Sequence, residues 1–379
     1  MENPLQYFAE LTDPRVERNR EHLLEEILLR AMAAVLSGAE SWNDIEEYGE
    51  AKIEWLKTFL TLPAGIPSHD TFNRVLAALD PAQMEKGFVA WVGSIAKLTA
   101  GEVVAIDGKA LRGTYAAGKK PIVHMVSAWA ESHGLVLAQR KVDEKSNEIT
   151  AIPKLLEALE LSGTVGTIDA MGCQRAIACQ IIAKKADYVL AVKENQGHLH
   201  EEIQDSFRML PADAVAEEVD CGHGRVERRT CSVIADLSLL EKASEWASLQ
   251  GVVRIQTERY HKATGQSEGQ TRYYITSLAP DAVRLNRVIR QHWSIENQLP
   301  WVLDVGFGED LSRKRQGHAA QNFSILTRIA LNLLKQDKSS KRGVKGKRLK
   351  ADVITPICSI AGNLICVGPA TSRFTATYY

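Results

Sequence analysis

The sequence predicts an α/β protein in which a helical N-terminal domain precedes a core built around a β-sheet. Apolar residues recur at helical spacing through residues 1–100, whereas short apolar runs bounded by turn residues begin after residue 101. Strand and helix patterns then alternate as far as residue 197, as expected for a sheet with helices packed on it. The chain has 379 residues, 45% of them apolar, which is enough for roughly two or three domains.

Residues 1–100 carry helix signals throughout and no evident chemistry. Apolar side chains between residues 22 and 37 fall at helical spacing, and Gly38 follows as a natural helix stop. Ser41 and the proline-containing string at 67–71 supply the caps of two further helices. This segment is either a module for folding or oligomerisation or a domain that binds DNA ends.

Alternating strand and helix patterns follow between residues 101 and 197. They predict strands at 103–107, 122–130 and 135–142, a helix at 150–161, a strand at 164–169, a helix at 174–185 and a strand at 187–193. The turn between the second and third strands is short, which favours an antiparallel pair. Three strands followed by helix, strand, helix and strand is the element order of a ribonuclease-H-like core.

Two of these strands deliver an aspartate to their ends. Four apolar residues run directly into Asp107, and the strand that begins at Thr164 runs into Asp169. A ribonuclease-H-like core has one acid on its first strand and another at the end of its fourth, and these two aspartates match those positions. A third acid, Glu296, lies on a helix predicted at 281–297.

Residues 198–280 do not continue the pattern of the core. After a helix, strands are predicted at 226–234, 252–260 and 271–277. We therefore predict a β-rich insertion that carries the chain from the fifth strand to the helix with Glu296.

Two strand-end aspartates and a helical glutamate are the ligands that two divalent ions need for chemistry on phosphodiesters. Mg²⁺ prefers oxygen ligands and keeps several waters, so a few carboxylates suffice. Two such ions, about 3.5–4 Å apart, activate the attacking oxygen and stabilise the leaving one. In this interpretation Asp107 bridges the ions, while Asp169 and Glu296 each hold one. Three nearby acids compete for the third position: Asp304, Glu309 and Asp310.

Polar residues near these acids are candidates for contacting DNA. They are Lys109, Arg112, Lys193, Asn195, Gln196, Trp293 and Arg313. The cations would pair with phosphates and the tryptophan would stack on a base. The alternatives are surface charge for the cations, a capped turn for the two amides, and a core position for the tryptophan. A basic run from Lys335 to Lys350 is either a phosphate-binding segment or a solvated tail.

Composition limits the kinds of partner, metal site and cellular location that the sequence predicts. The formal net charge of −1 does not by itself indicate a nucleic-acid binder, so only local clusters of charge could do so. The six cysteines form no Cys-x-x-Cys pair, so no zinc site is expected. We expect the cysteines to be reduced thiols of a cytoplasmic protein. The apolar stretch at 353–370 is interrupted by Pro356, Asn363 and Pro369, which argues against a membrane span.

Several strings resemble insertion-sequence transposases that include the H-repeat-associated proteins of Rhs elements, within the DDE transposase superfamily. The resemblance covers roughly residues 8–351. The matching strings are Asp13-Pro14-Arg15, Pro67-Ser68-His69-Asp70-Thr71, Asp107-Gly108-Lys109 with Arg112-Gly113, Glu144-Lys145-Ser146-Asn147-Glu148-Ile149, Thr167-Ile168-Asp169-Ala170-Met171-Gly172-Cys173-Gln174, Asp187-Tyr188-Val189-Leu190-Ala191-Val192-Lys193 with Asn195-Gln196, Gly222-His223-Gly224-Arg225, His292-Trp293-Ser294-Ile295-Glu296-Asn297, and Leu303-Asp304-Val305 with Phe307 and Glu309-Asp310.

The resemblance implies a ribonuclease-H-like catalytic core with a β-strand insertion, and metal-dependent nicking of DNA at element ends followed by joining to target DNA. It implies that Asp107, Asp169 and Glu296 form the acid triad and hold Mg²⁺, with Mn²⁺ as a substitute. It also implies a homodimer assembled on DNA and a cytoplasmic, nucleoid-associated protein without a membrane anchor. The expected divisions are a helical domain at 1–100, the catalytic domain at 101–335 with its insertion at about 198–280, and a basic run with an apolar tail at 336–379.

The chain departs from the family pattern at three places. Related insertion-sequence transposases carry a tyrosine–arginine–glutamate–lysine pattern around the helical acid, where this chain has Ile289, His292 and Leu303. Pro300 stands where the family has a histidine. It would kink the helix behind Glu296 if that helix continues, and would be harmless if the helix ends near residue 297.

The third departure is the tail, which turns apolar after Asp352, with Arg373 as its only later charge. A frameshifted or decayed reading frame would look like this. Two alternatives to a transposase therefore stay open. One is a decayed or repurposed protein that binds DNA ends without cutting them, and the other is a simple nuclease that cuts without joining.

Overall fold

The computed structural model describes residues 3–116, 121–143, 147–222 and 224–353. The apolar tail from residue 354 onwards, where the sequence argues against a membrane span, lies outside the described residues. The described residues belong to two compact units. The helical unit draws on 1–95, 111–122 and 302–379, and the sheet unit on 96–110 and 123–301.

The helices are α1 Leu24–Leu36, α2 Trp42–Ala51, α3 Ile53–Leu56, α4 His69–Ala78, α5 Pro81–Ile95, α6 Glu148–Glu157, α7 Arg175–Ala183, α8 Gly197–Met209, α9 Ala282–Gln298, α10 Pro300–Phe307, α11 Ala319–Gln336 and α12 Val344–Val353. The strands are β1 Val103–Leu111, β2 Val123–Ala130, β3 Leu135–Lys141, β4 Val165–Ile168, β5 Asp187–Val192, β6 Ala214–Gly222, β7 Arg225–Ile234, β8 Gly251–His261 and β9 Gln266–Thr276. Within the described residues, no helix is both long enough and apolar enough to cross a membrane.

The helical unit is built around α11, which packs against α1, α4 and α5. Almost every side chain of α11 is buried, including the polar ones, so each polar group has to find a partner inside the unit. Asn322 donates to the carbonyls of Leu76 and Leu79 at 2.8 and 2.9 Å. Arg328 forms a buried ion pair with Glu309. These contacts fix α11 against the N-terminal helices.

One of the two caps that the sequence predicts in this unit is confirmed, at Ser41, whereas Ser68 precedes α4 without a side-chain cap hydrogen bond. The Ser41 hydroxyl accepts a hydrogen bond from the Asp44 backbone N–H at 3.1 Å, and the Asp44 carboxylate accepts one from the Ser41 N–H at 2.9 Å. This reciprocal pair is a capping box, and it satisfies two of the donors that open α2. The helix predicted between residues 22 and 37 is also present, as α1, and its apolar side chains are buried.

The sheet unit contains one nine-stranded sheet in the order β3-β2-β1-β4-β5-β9-β8-β7-β6. Strands β1, β4 and β5 are parallel to one another, and β2 pairs with β3 in the antiparallel sense. This arrangement confirms the predicted ribonuclease-H-like core. The predicted insertion is also confirmed, because β9 pairs with β5 and continues the same sheet through β8, β7 and β6.

Helices cover both faces of the parallel part of this sheet. On one face, Leu285 and Val288 of α9 share an apolar cluster with Val165 of β4. On the other face, a Cβ at Gly166 would lie 3.3 Å from Ile181 of α7. Because side chains alternate along a strand, odd-numbered positions of β4 face α9 and even-numbered ones face α7.

The basic run is partly structural. Arg348 of α12 is buried and donates to the backbone carbonyls of Val35, Ala39 and Gly306. Lys347 donates to the carbonyl of Leu334 at 2.8 Å. These two cations therefore stabilise the helical unit, and the sequence interpretation of the run as a tail is wrong for this part of it.

We expect Arg348→Ala to destabilise the protein by about 3 kcal/mol, because it leaves buried carbonyls without donors. Thermal or denaturant unfolding measures the loss. The matched control is Lys345→Ala, which removes an exposed cation of the same helix and should change stability by no more than about 0.5 kcal/mol. Equal effects of the two substitutions would contradict a structural role for Arg348.

Candidate active site

Two aspartates lie side by side where β4 ends. Ile106 of β1 pairs with Ile168 of β4 in parallel register, and Asp107 and Asp169 come directly after them. Adjacent strands are about 4.8 Å apart, so the two carboxylates start from neighbouring positions. The prediction that Asp107 ends its strand is wrong in one respect, because β1 continues to Leu111 beyond the last pair with β4. The loss of β4 as a neighbour, and not the end of β1, leaves space at Asp107.

Glu296 reaches this region on α9, which packs against β4, β6 and β7. The Thr167 hydroxyl lies 2.9 Å from His292 Nδ1, and both groups are buried. Thr167 is two residues before Asp169 on the same side of the chain, and His292 is one helical turn before Glu296. This single hydrogen bond therefore sets the position of the helical acid relative to the strand acid.

The charges of Asp169 and Glu296 both act on Asp107. The pKa of Asp107 is raised to about 6, mainly by burial and also by these two charges, while the hydrogen bond from the Gly108 N–H opposes the rise. Burial also lowers the pKa of His292 to about 4, so its ring is neutral near pH 7. A neutral imidazole adds no positive charge beside the acids.

A fourth acid, Glu148, belongs to the same cluster, and sequence reasoning missed it. The pKa of Glu148 is raised to about 7, mainly by burial and also by the charges of Asp169 and Asp107. In the sequence, Glu148 lies just before the helix predicted at 150–161; it is the first residue of α6, and acids at that position are common for helix stability alone. Only its proximity to Gly108 and the aspartates in the folded chain distinguishes it.

A cavity of about 670 Å³ lies beside Asp169, and three of the predicted DNA-contacting residues line it: Lys193, Asn195 and Trp293. The Arg272 guanidinium lies 3.9 Å from the centre of the Trp293 ring, and the indole N–H donates to the Tyr274 hydroxyl at 3.2 Å. One face of the indole is thus covered by a cation. Lys193 is exposed at the end of β5.

Asn195 and Gln196 support the loop that follows Asp169. The Asn195 side-chain amide donates to the Ala170 carbonyl at 2.7 Å, and the Gln196 amide donates to the Cys173 carbonyl at 2.8 Å. The loop is further closed by the Met171 N–H, which donates to the Asp169 carboxylate at 3.1 Å. Both amides therefore hold the end of β5 against the chain that carries the acid.

Lys109 lies in β1 of the sheet unit, two residues beyond Asp107, so the two side chains point to the same side of the strand. Arg112 and Arg313 both lie in the helical unit and are exposed. The Arg112 Nε is 3.6 Å from Asp310, a separation that fits a loose surface pair.

The acids that compete with Glu296 for the third position lie in the other unit. Asp304, Glu309 and Asp310 belong to the helical unit, where Glu309 is buried against Arg328. Glu296 is the acid that shares the sheet unit with Asp107 and Asp169, and its charge acts on Asp107. The structure thus places Asp107, Asp169 and Glu296 in one unit, and their role as a metal-binding triad stays a prediction.

The cluster has the chemistry of a site for hard divalent cations. Within the described part of the chain, no lysine, arginine or histidine forms an ion pair with Asp107, Asp169, Glu296 or Glu148. Like charges held together without a cation are unfavourable, and a divalent ion bound by carboxylate oxygens would offset the repulsion. Mg²⁺ or Mn²⁺ therefore fits the donor set.

A different group of potential ligands lies on the surface around α8, and within the described part of the chain it is the one group whose ligand atoms all lie within 4.8 Å of one another. His198, Glu202 and Glu241 have side-chain atoms close enough to hold one ion. His198 Nε2 lies 2.9 Å from Glu241, and that contact raises the pKa of the imidazole. Two of the three residues are exposed, and the pairing of His198 with the two glutamates accounts for the group.

Comparison with known proteins gives matches over most of the chain. The family description "DDE_Tnp_1-associated" matches residues 5–92, and "Transposase DDE domain" matches residues 99–333. The chain is 41% identical over 360 residues to "Putative transposase YncI" of Escherichia coli O157:H7, covering 93% of this chain and 92% of that protein. It is 38% identical over 359 residues to "H repeat-associated putative transposase YhhI" of Escherichia coli strain K12, covering 92% and 94%.

Two further similarities are more limited. Over 56 residues the chain is 48% identical to "Inactive transposase YbfQ" of Escherichia coli strain K12, covering 15% of this chain and 67% of that protein. Among solved structures, the piggyBac transposase synaptic complex with hairpin DNA gives a TM-score of 0.41 at 11% identity. That match covers 99% of this chain and 84% of that one.

The raised pKa of Asp107 leads to a pH-dependent stability. The folded value of about 6 exceeds the ordinary 3.8, so the ionised carboxylate destabilises the metal-free fold. Asp107→Asn removes that charge and should raise the free energy of unfolding at pH 8 by on the order of 2 kcal/mol. The gain should shrink as the pH falls through 6 and vanish near 4, because the wild-type carboxyl is then protonated.

Denaturant unfolding in EDTA at several pH values measures this difference. Asp205→Asn is the control, because Asp205 is exposed on α8 and pairs only with Arg208 at the surface among the described contacts. A loss of stability at pH 8, or a gain that does not depend on pH, would show that Asp107 is not held among other charges.

Proposed function

The chain belongs to the DDE transposase family, and from this premise we propose that it nicks DNA at the ends of an insertion sequence and joins the freed 3′ end to target DNA. The observation that carries the proposal is the parallel register of β1 and β4, which sets Asp107 and Asp169 side by side, while the charges of Asp169 and Glu296 both act on Asp107 within the sheet unit. Oxygen ligands of this kind are those that divalent ions need for phosphodiester chemistry.

Each acid has a distinct proposed role. The charges of both other acids act on Asp107, which would be the ligand shared by two ions, while Asp169 and Glu296 would each hold one. When bound, two Mg²⁺ or Mn²⁺ ions would activate the attacking oxygen and stabilise the leaving oxygen. The Thr167–His292 hydrogen bond keeps Glu296 in register with Asp169, and the Asn195 and Gln196 amides keep the loop after Asp169 in place.

The proposed reaction consists of two phosphoryl transfers. In the first, a water oxygen attacks a phosphodiester phosphorus, the bond from phosphorus to the 3′ oxygen breaks, and that oxygen leaves as a 3′ hydroxyl while the attacking water loses a proton. In the second, the 3′ hydroxyl attacks a phosphodiester of the target, and a new strand joint forms as the target strand breaks. The two steps need no oxidant or reductant.

DNA would approach the sheet unit along the side where the acids lie. Lys109 follows Asp107 on the same side of β1, and Lys193 is exposed beside Asp169, so both are suited to phosphate contacts. The indole of Trp293 lines the cavity at Asp169 with one face against Arg272. Base stacking would therefore use its other face. Arg112 and Arg313 are exposed cations of the helical unit and would contact more distant phosphates.

Two copies of the chain would act together, since a mobile element has two ends that must be paired before joining. A homodimer assembled on DNA in the cytoplasm, at the nucleoid, is the form in which we propose that the protein works. A protein that binds element ends without cutting them remains the alternative function, and the observation that favours it is the sequence after Asp352, which turns apolar with Arg373 as its only later charge.

We expect the wild-type protein to nick a labelled duplex that carries the element's end in the presence of Mg²⁺ or Mn²⁺. Asp107→Ala, Asp169→Ala and Glu296→Ala should each lower the rate by several orders of magnitude, because each removes a metal ligand. Gel analysis of nicked and joined strands measures both steps. Asp205→Ala, an exposed acid of the same unit, is the control and should nick as the wild type does.

The products separate the competing functions. Nicked strands joined to target DNA support a transposase, whereas cleavage without joining would indicate a nuclease. Binding of the duplex end without any cleavage would contradict the proposed activity and favour the alternative of a DNA-binding protein.

We expect Pro300→His to leave the nicking rate unchanged. Helix α9 ends at Gln298, and Pro300 is the first residue of α10, where a proline needs no hydrogen-bond donor. The Leu299 N–H still donates to the Ile295 carbonyl at 2.8 Å, so the last turn around Glu296 is intact. A marked increase in nicking by the variant would instead mean that Pro300 had displaced the third acid.

A further inference from the structure

Glu148 approaches the active centre through a gap that a glycine provides. Val103 belongs to the apolar cluster on the α9 side of the sheet, so alternation along β1 places Asp107 on that side and Gly108 on the opposite one. A Cβ built at Gly108 would lie only 1.9 Å from Glu148 Oε1. The Glu148 carboxylate thus occupies the space that any side chain at 108 would need, directly beside Asp107.

The charge of Glu148 acts on both strand acids. It begins α6, which packs against β2, β3 and the turn Ala170–Gly172 that follows Asp169. Both Asp107 and Asp169 interact electrostatically with it. Because α6 packs on the sheet, the backbone position from which the Glu148 side chain starts is fixed by the fold.

A role in helix stability alone does not account for this position. An acid that only favours the start of a helix is normally solvated or accepts hydrogen bonds from the first backbone N–H groups. Glu148 is partly buried, and within the described part of the chain its carboxylate oxygens accept no hydrogen bond. A desolvated carboxylate that faces two others needs a cation to be favourable.

We propose that Glu148 is a fourth metal-holding carboxylate of the active centre, which reaches the ions from the α6 side of the sheet over Gly108. The inference rests on the proposed function, because it assumes that the aspartates bind divalent metal. Asp107 then receives charge from both faces of the sheet, with Glu296 on one side and Glu148 on the other. Glu148 lies on α6 and Glu296 on α9, so two different helices would supply these two carboxylates.

The test is direct binding of Mn²⁺ to the full-length, metal-free protein. Binding is measured by calorimetry or by the loss of the electron paramagnetic resonance signal of free Mn²⁺. We expect Glu148→Gln to weaken binding by about tenfold or more. Glu157→Gln changes an exposed acid at the other end of α6 and should bind as the wild type does. Asp107→Ala should abolish binding at the cluster.

A second readout separates metal binding from helix stability. In EDTA at pH 8, Glu148→Gln should raise the melting temperature because it removes repulsion from Asp107 and Asp169. Added Mn²⁺ should then raise the melting temperature less than it does for the wild type. A helix-stabilising acid would behave in the opposite way, with a lower melting temperature in EDTA and an unchanged response to Mn²⁺.

A charge-preserving variant tests the geometry itself. Gly108→Ala should push the Glu148 carboxylate aside and weaken Mn²⁺ binding although all four acids remain. In a Glu148→Ala background, the same change should have little further effect, since the clash is gone. Equal effects of Gly108→Ala in both backgrounds would show that the glycine acts through Asp107 alone and would overturn the proposal.

The outcomes also distinguish a failure of the proposed function from a failure of the proposed role of Glu148. If the wild type binds no Mn²⁺, the proposed function fails and this inference fails with it. If the wild type binds Mn²⁺, Asp107→Ala does not, and Glu148→Gln binds normally, the proposed function stands and only the fourth ligand is excluded.

Discussion

The fold of the sheet unit has to hold several carboxylates together against their mutual repulsion. Parallel pairing of β1 with β4 fixes Asp107 beside Asp169, and the Thr167–His292 hydrogen bond fixes α9 and therefore Glu296. Neither the strand pairing nor the hydrogen bond involves the carboxylates themselves. The scaffold thus provides the stabilisation that the acids lack in the metal-free state, and the apolar cluster that α9 shares with β1, β4 and β5 is part of it.

Much of this arrangement can be predicted from the sequence because it depends on local patterns. Apolar runs that end at Asp107 and Asp169 indicate two core strands, and the element order indicates the ribonuclease-H-like topology. Strand β6 was missed because it is an edge strand, and its sequence, with Glu217, Glu218 and Asp220, lacks an apolar run. Strand β6 forms because its backbone pairs with β7, and its side-chain pattern does not predict that pairing.

The site was less predictable than the fold, since its completion depends on contacts distant in sequence. Glu148 is 41 residues from Asp107 and looks like an ordinary helix-start acid until Gly108 brings the two together. Asn195 and Gln196 were predicted to contact DNA, yet their amides are bonded to the backbone of the loop after Asp169. Sequence patterns report which residues are polar, whereas only the fold reports which polar groups already have partners.

The absent tyrosine–arginine–glutamate–lysine pattern has a physical explanation in the sheet unit. Ile289 and His292 are both buried, and His292 forms the hydrogen bond with Thr167. An arginine at 292 would bring a permanent charge into that buried contact, and it would be costly unless it were paired. Such a cation could pair with a nearby acid, whereas the neutral histidine leaves the acids unpaired. In this chain the position therefore aligns the helix, and the negative charge of the cluster remains available for metal.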